Sequence, residues 1–414
     1  MTGIHLYVGN NAIEHLLEYC DPKQLRHFLM VADQNTYKAL GQSVESALNS
    51  RGWDVKSVVF QESEVIPNEA FIFQVLLQAD PIERTYLAVG SGTLTDITRF
   101  SSHRNRRPFI SLPTAPSVDG FTSPSASLNV GPIKQTVIAQ PPIAVFADLP
   151  TLAAAPQELI AAGFGDILGK AIALADWKLG HLLWDEPYST EIAQRVRKTL
   201  NSCISAAGEI GQASPSGIEK LVFTLIDSGL CMLDFGNSRP ASGAEHYMSH
   251  YLEMKLLREG RPAVLHGAKV ALCSIQFAKM YQNLRRINRT EAVHRLQESV
   301  LPDRAQEIAT IRRVYGPLAD KLVLEQAPFL DLSKQSYNQL KEQILSNWDE
   351  IQALAAQVPE PEEMENLLSQ VGGSTQPAGL NLTNEEVNEA FEYSHYFRNR
   401  FTIRKLARIL GMAR

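Results

Sequence analysis

Six short apolar runs recur in the first 150 residues, at 5–9, 27–33, 55–61, 85–92, 109–115 and 143–148. Helical patterns fill several of the gaps, as at 36–51 and 68–77. Runs of this kind have little polar face to offer water, so they must be covered on both sides. Short apolar strands alternating with helices predict a mostly parallel sheet with helices on both faces. Residues 125–139 depart from the pattern, because two alternating runs flank Gly131-Pro132 and read as an inserted hairpin. After residue 150 the texture changes to helix formers with few β-branched runs. Helices are predicted over 161–184, 191–207, 218–229, 245–258, 268–285, 303–315, 333–357 and 384–411. Pro141, Pro142 and Pro150 punctuate the change. The expected architecture is an α/β domain over 1–150 followed by an all-helical domain over 151–414.

Charge narrows the partners. Lys and Arg number 39 against 45 Asp and Glu, a net charge of −6, so no basic field exists to hold nucleic acid. A small metabolite is the expected partner. Cys20, Cys203, Cys231 and Cys273 form no CxxC pair and read as reduced, buried thiols. The first twenty residues lack the basic stretch and continuous apolar run of a signal peptide. No apolar run reaches the ~18 residues of a membrane helix. A cytoplasmic location without membrane insertion is expected.

The chemistry-bearing segments begin where the fourth apolar run meets Gly90-Ser91-Gly92-Thr93-Leu94-Thr95-Asp96. A strand–glycine turn–helix of this form lets backbone N–H groups approach a pyrophosphate at a helix N-terminus. Thr95 stands where a third glycine would complete G-x-G-x-x-G, so a plain connection is the other reading. Asp33 ends the second run, where an acid can meet an adenosine ribose or simply cap a helix. The stretch 112–125, LPTAPSVDGFTSPS, follows the fifth run and is dense in hydroxyls. Loops at that end of a strand bind ligands in α/β sheets, although a solvated turn would look the same. On this reading residues 1–150 form a Rossmann-like dinucleotide-binding domain.

In the helical part, Ser242 and Glu245 have capping-box spacing, which predicts a helix start. His246 and His250 then lie one turn apart on one face, and His266 follows at the start of the next predicted helix. Earlier, Asp166 sits among Gly163, Gly165 and Gly169. Glycine costs a helix about 1 kcal/mol relative to Ala, so three so close together imply that a ligand or another backbone comes near. One carboxylate and two imidazoles make a common divalent-metal set that leaves positions open. The structural alternatives are satisfied histidines and an Asp166–Lys170 pair.

Residues 90–97 (GSGTLTDI), 113–128 (PTAPSVDGFTSPSASL), 163–170 (GFGDILGK), 242–250 (SGAEHYMSH) and 265–272 (LHGAKVAL) together resemble the glycerol-1-phosphate dehydrogenase family. That family belongs with the metal-dependent dehydroquinate synthases, glycerol dehydrogenases and iron-type alcohol dehydrogenases. The segments S-V-D-G-F-T-S and E-H-x-x-x-H are the most specific, and RNRFTIRKLARILG at 398–411 extends the likeness toward the C-terminus.

The resemblance implies that Asp166, His246 and His266 hold one divalent ion, zinc or nickel, in a helical metal- and substrate-binding domain. Lys170 stands where the four-ligand iron enzymes carry a histidine, which favours three ligands. His250 would relay a proton and bind substrate, and Asp119 would meet the substrate hydroxyl. Gly92, Thr93, Leu94, Thr95, Asp96, Thr114, Ser117 and Ser123 would contact NAD or NADP, with Asp33 at the adenosine ribose. The implied reaction is reversible reduction of dihydroxyacetone phosphate to sn-glycerol 1-phosphate, in polar-lipid or glycerophosphate metabolism, by a homo-oligomer, most simply a dimer. A carboxylate at Asp33 repels a 2′-phosphate and favours NAD. Lys170, Ser123, Arg398 and Arg400 are chemically suited to the substrate phosphate, and no spacing selects among them. The competing readings are a polyol dehydrogenase acting on an unphosphorylated ketone, a dehydroquinate synthase, and a non-catalytic nucleotide-binding relative.

Overall fold

The computed structural model describes residues 3–131 and 133–412. Pro132 of the expected hairpin turn lies outside them, as do Met1 and Thr2 of the N-terminal stretch. Among the described residues eight strands are formed: β1 (His5–Gly9), β2 (His27–Asp33), β3 (Asp54–Phe60), β4 (Thr85–Val89), β5 (Phe109–Leu112), β6 (Ser125–Val130), β7 (Ile133–Ile138) and β8 (Ala144–Asp148). Six of them make one parallel sheet in the order β1-β8-β5-β4-β2-β3. β6 and β7 pair antiparallel as the separate hairpin, with Ser125 opposite Ile138.

Alternate residues of the inner strands feed two apolar layers, as the twofold period of a strand dictates. On one face Phe28, Met30, Ala32, Leu87 and Val89 pack with Leu16 and Leu17 of the helix Ala12–Cys20 and with Val44 and Leu48 of the helix Gln42–Ser50. On the other, Leu29, Val31, Tyr86 and Ala88 meet Phe71 and Val75 of the helix Glu69–Leu76 and Leu94 and Ile97 of the helix Gly92–Arg104. Burial on both faces is why these strands read as continuous apolar runs. The fold is therefore α/β with a Rossmann-like parallel sheet and a helical C-terminal part.

All described strands lie before residue 150, and all the elements after it are helical. Compactness divides the chain in another way. One unit comprises Met1–Ile167, Asn201–Asn237 and Gln370–Gly373, and the other Leu168–Leu200, Ser238–Ser369 and Ser374–Arg414. The first unit thus takes in the long helix Pro215–Phe235 beside the sheet domain's own elements. The second is helical, with Trp177, Tyr251, Tyr281 and Trp348 among its fully buried side chains. The four cysteines are buried and free, and burial pushes the Cys20 and Cys203 thiols up to about 12. Among the described residues no helix is long and apolar enough to cross a membrane.

Several predicted helices are shorter than expected. The 161–184 pattern is two helices, Gln157–Leu168 and Lys170–Trp184, and 333–357 is Lys334–Ser346 and Trp348–Ala355. The 384–411 pattern splits into Asn384–Tyr393, a short turn at Ser394–Tyr396, and Ile403–Ile409.

Candidate active site

In the first unit, the residues expected to meet a dinucleotide lie at or beyond the carboxyl ends of β2, β4 and β5. The strand order reverses between β2 and β4, since β3 flanks β2 on one side and β4 on the other. In open α/β sheets the crevice at such a reversal is where ligands bind. Gly90 closes β4 at φ 154°, and a Cβ there would strike the Leu94 side chain. The helix Gly92–Arg104 then starts without a side-chain cap from Ser91. The Ser91 hydroxyl pairs instead with Ser117 Oγ at 2.5 Å and donates to Ala115 O at 3.2 Å. The first-turn N–H groups of Gly92, Thr93 and Leu94 thus have no cap from Ser91, the condition under which a helix start takes an anion.

Asp96 turns the other way. Its carboxylate accepts from Arg99 Nη1 at 2.5 Å and from Ser127 N at 3.0 Å, tying the helix to the hairpin. Arg99 is fully buried and also donates to Ser125 O and Gly120 O, so it staples both ends of the 120–125 connection. Ser123 Oγ accepts from Ser125 N in the same connection, and Thr114 is buried. Asp33 caps the short helix Gln34–Thr36: its Oδ1 accepts from Thr36 N at 2.8 Å.

The 113–124 loop rests on two helices of its own unit. A Cβ at Gly163 would run into the Pro116 carbonyl oxygen, so the close neighbour implied by that glycine is another backbone. The Asp119 N–H donates to Asp166 Oδ2 at 3.1 Å, and Asp166 is fully buried. From the helix Pro215–Phe235, Ser228 Oγ donates to Asp119 Oδ2 at 2.8 Å, and Thr122 Oγ1 donates to Ile226 O at 3.0 Å. A Cβ at Gly229 would strike Thr122 and the Asp119 carbonyl.

In the second unit the helix Ala244–Arg258 carries His246 and His250. The Ser242–Glu245 capping box expected from the spacing does not form, because Gly243 is the N-cap. The Ser242 carbonyl accepts from Arg400 Nη1 at 2.6 Å, and Asp176 Oδ2 accepts from Ala244 N at 2.8 Å. A carboxylate from a distant helix thus does the capping, and Glu245 is released. Glu245 Oε1 accepts from Gly243 N at 2.8 Å and from His246 Nδ1 at 2.7 Å.

Asp176 also accepts from Tyr281 Oη and Ile403 N, both at 2.7 Å. Burial, together with the Glu245 charge, pushes its carboxyl up to about 7. Arg400 is held by Glu186 Oε2 at 2.8 Å, and Glu186 Oε1 accepts from Phe401 N.

The structure brings the three histidines together. Ring centroids are 5.3 Å apart for His246–His266, 5.7 Å for His250–His266 and 6.4 Å for His246–His250. His266 is the first residue of the helix His266–Arg285. Glu253 Oε2 lies 3.6 Å from His250 Nδ1 and 3.5 Å from the buried Lys269 Nζ. Sequence reasoning missed Ser228, Asp176 and Glu186, whose partners are remote in the chain, and Arg99, which pairs with Asp96 one turn away and reaches on to Gly120 and Ser125. Glu245 was seen, but as a cap.

A parallel sheet with a glycine turn at its reversal is an architecture that binds dinucleotides, and the helical unit adds a cluster of three imidazoles. The sequence profile of iron-containing alcohol dehydrogenases matches residues 7–156. A glycerol-1-phosphate dehydrogenase [NAD(P)+] of Halalkalibacterium halodurans is 38% identical over 401 residues, covering 96% of this chain and 90% of that protein. The enzyme of the same name from Bacillus subtilis is 42% identical over 282 residues, covering 67% of this chain and 72% of its own. The chain belongs to the glycerol-1-phosphate dehydrogenase family. Among solved structures, a sulfoacetaldehyde reductase from Bifidobacterium kashiwanohense in complex with NAD+ superposes with a TM-score of 0.60 at 14% identity, covering 100% of this chain and 96% of that one. A maleylacetate reductase from Rhizobium sp. gives 0.60 at 12% identity, covering 95% and 90%. At such identities the likeness is one of fold.

Proposed function

We propose that this chain is an NAD(P)-dependent sn-glycerol-1-phosphate dehydrogenase, reversibly reducing dihydroxyacetone phosphate to sn-glycerol 1-phosphate. The observation that carries the reading is 38% identity, along 96% of the chain, to an enzyme of that name. Asp166, His246 and His266 are the proposed ligands of one divalent ion, zinc or nickel, offering one carboxylate and two imidazoles. The contact from His246 Nδ1 to Glu245 Oε1 fits such a group. An ionised carboxylate only accepts, so Nδ1 carries the proton and Nε2 keeps the lone pair that a metal needs.

The ion, when bound, polarises the ketone and stabilises negative charge on its oxygen as hydride arrives from NAD(P)H. The chain's own residues do the rest. The first-turn N–H groups of Gly92, Thr93 and Leu94 hold the dinucleotide phosphates, with Thr95, Asp96, Thr114, Ser117 and Ser123 alongside and Asp33 at the ribose. Asp119 binds the substrate hydroxyl. His250 delivers the proton that completes the alcohol, and takes it back in the oxidative direction. Residues 1–150 supply the dinucleotide side and 151–414 the metal and substrate side. A cytoplasmic homodimer working in glycerophosphate metabolism completes the proposal.

The test uses purified protein stripped with chelator and reloaded separately with zinc and nickel. NADH and NADPH oxidation is followed with dihydroxyacetone phosphate and with dihydroxyacetone. Metal-dependent turnover of the phosphate ester alone supports the assignment. Equal or better use of the free ketone makes the protein a polyol dehydrogenase, and no turnover of either with metal bound makes it a non-catalytic relative.

A further inference from the structure

We propose that Glu245 is a positioning residue for His246: its buried carboxylate fixes the imidazole in the tautomer, and at the angle, that leave Nε2 ready for a metal ion. The inference rests on His246 being a ligand, as proposed above. Glu245 is fully buried, and one oxygen, Oε1, receives both the His246 Nδ1–H at 2.7 Å and the Gly243 N–H at 2.8 Å. The backbone bond holds that oxygen at the helix start, and the imidazole bond uses it. Neighbouring residues on a helix do not normally face each other, so this pairing needs the carboxylate folded back over the first turn.

Two features permit that fold-back. Asp176 Oδ2 takes the Ala244 N–H, which relieves Glu245 of part of the capping. Gly243 leaves the room: a Cβ there would come within 2.7 Å of Glu245 Oε2, 2.9 Å of Asp176 Oδ2 and 3.0 Å of Ala173 Cα. Asp176 is itself anchored by Tyr281 and Ile403, so the support reaches two further helices of the same unit. Burying a carboxylate is costly unless its oxygens are paired, and here Oε1 carries both bonds while Oε2 is buried without a hydrogen-bond partner among the described residues. A carboxylate on the far nitrogen of a ligating imidazole sets its orientation and raises its basicity.

The experiment compares wild type, Glu245→Gln and His246→Ala by competition for zinc with a chromophoric chelator. Circular dichroism and NADH binding serve as folding controls. Glu245→Gln keeps the size and an acceptor but loses the charge, so its zinc affinity is expected to fall about 10- to 100-fold with fold and NADH binding retained. Wild-type zinc affinity in Glu245→Gln overturns the inference. Should that variant not fold, nitrogen NMR of histidine-labelled wild-type apoprotein decides, with the His246 resonance assigned by its loss in His246→Ala. A proton on Nδ1 of His246 supports the inference, and a proton on Nε2 overturns it. Zinc held by His246→Ala as tightly as by wild type overturns the ligand reading itself, an outcome distinct from failure in Glu245→Gln alone.

Discussion

Ser228 Oγ donates to Asp119 Oδ2 at 2.8 Å, joining two residues 109 positions apart within one unit. The bond fixes the rotamer of the carboxylate proposed to meet the substrate hydroxyl, while Thr122 Oγ1 on Ile226 O holds the same loop by a second point. Ser228→Ala removes the first and leaves the second. A hydrogen bond to a charged group contributes about 1.5 kcal/mol or more. The expected result is a roughly tenfold lower kcat/KM for dihydroxyacetone phosphate with the Kd for NADH unchanged, by steady-state kinetics and fluorescence titration. Unaltered kcat/KM would mean that Asp119 needs no such support.

Gly163 sets two effects against each other. Alanine improves helix propensity by about 1 kcal/mol. Its Cβ would collide with the Pro116 carbonyl oxygen, a backbone atom that cannot swing aside. Forced overpacking costs about 1–3 kcal/mol, so the collision wins. Gly163→Ala is expected to lower the thermal midpoint; a raised midpoint would show that the loop yields freely.

These two glycine and serine contacts mark where the sequence was readable and where it was not. The sheet strands were legible because burial on both faces writes itself as unbroken apolar runs, as in Phe28–Ala32, where Phe28, Leu29, Met30, Val31 and Ala32 are all fully buried. The run at 85–92 overshot because Gly90 ends the strand by conformation, not by polarity. The helix expected over 384–411 failed because Arg400 and Phe401 are drawn to Glu186, more than 200 positions away, and no local pattern records that pull. The crowded glycines around 163 signalled a ligand or a backbone close by, and only the fold shows that at Gly163 it is the Pro116 backbone. S-x-x-E was misread for the same reason as 384–411: the true partner of the Ala244 N–H is Asp176, 68 positions back.

In the proposed division of roles His250 acts on substrate and does not hold the metal. His250→Ala is therefore expected to retain zinc by elemental analysis and to lose about 10²–10⁴ in turnover, the usual worth of a general acid. Loss of zinc equal to that in His246→Ala would merge the two roles.

Asp33 combines a cap with a charge. Serine preserves the first, since a hydroxyl also accepts from the N–H that Asp33 Oδ1 now takes from Thr36. It removes the second, and like charges about 4 Å apart in water repel by about 1 kcal/mol. Asp33→Ser is expected to raise the ratio of NADPH to NADH kcat/KM about fivefold or more, with thermal stability nearly unchanged. An unmoved ratio would place the ribose elsewhere.

Lys405 offers a pH test of the second unit. It is almost fully buried, its Nζ donating to Gln326 Oε1 at 3.1 Å and lying 4.7 Å from the Phe329 ring centroid. Burial lowers its ammonium from 10.5 to about 7. Between those values the unfolded chain holds a proton at this residue that the folded chain has released. Stability from this residue therefore rises with pH across the window and is lost as pH falls through it. The slope is at most about 1.4 kcal/mol per pH unit, one proton's worth. Lys405→Met keeps an apolar stem of similar length and has no such slope. Urea midpoints of the two proteins, measured side by side from pH 7 to pH 10, are expected to shift in favour of wild type as pH rises, because every other titrating group is common to both. A constant difference across that range would mean that Lys405 stays charged in the folded protein, stabilised by the Phe329 and Trp184 rings over which it lies.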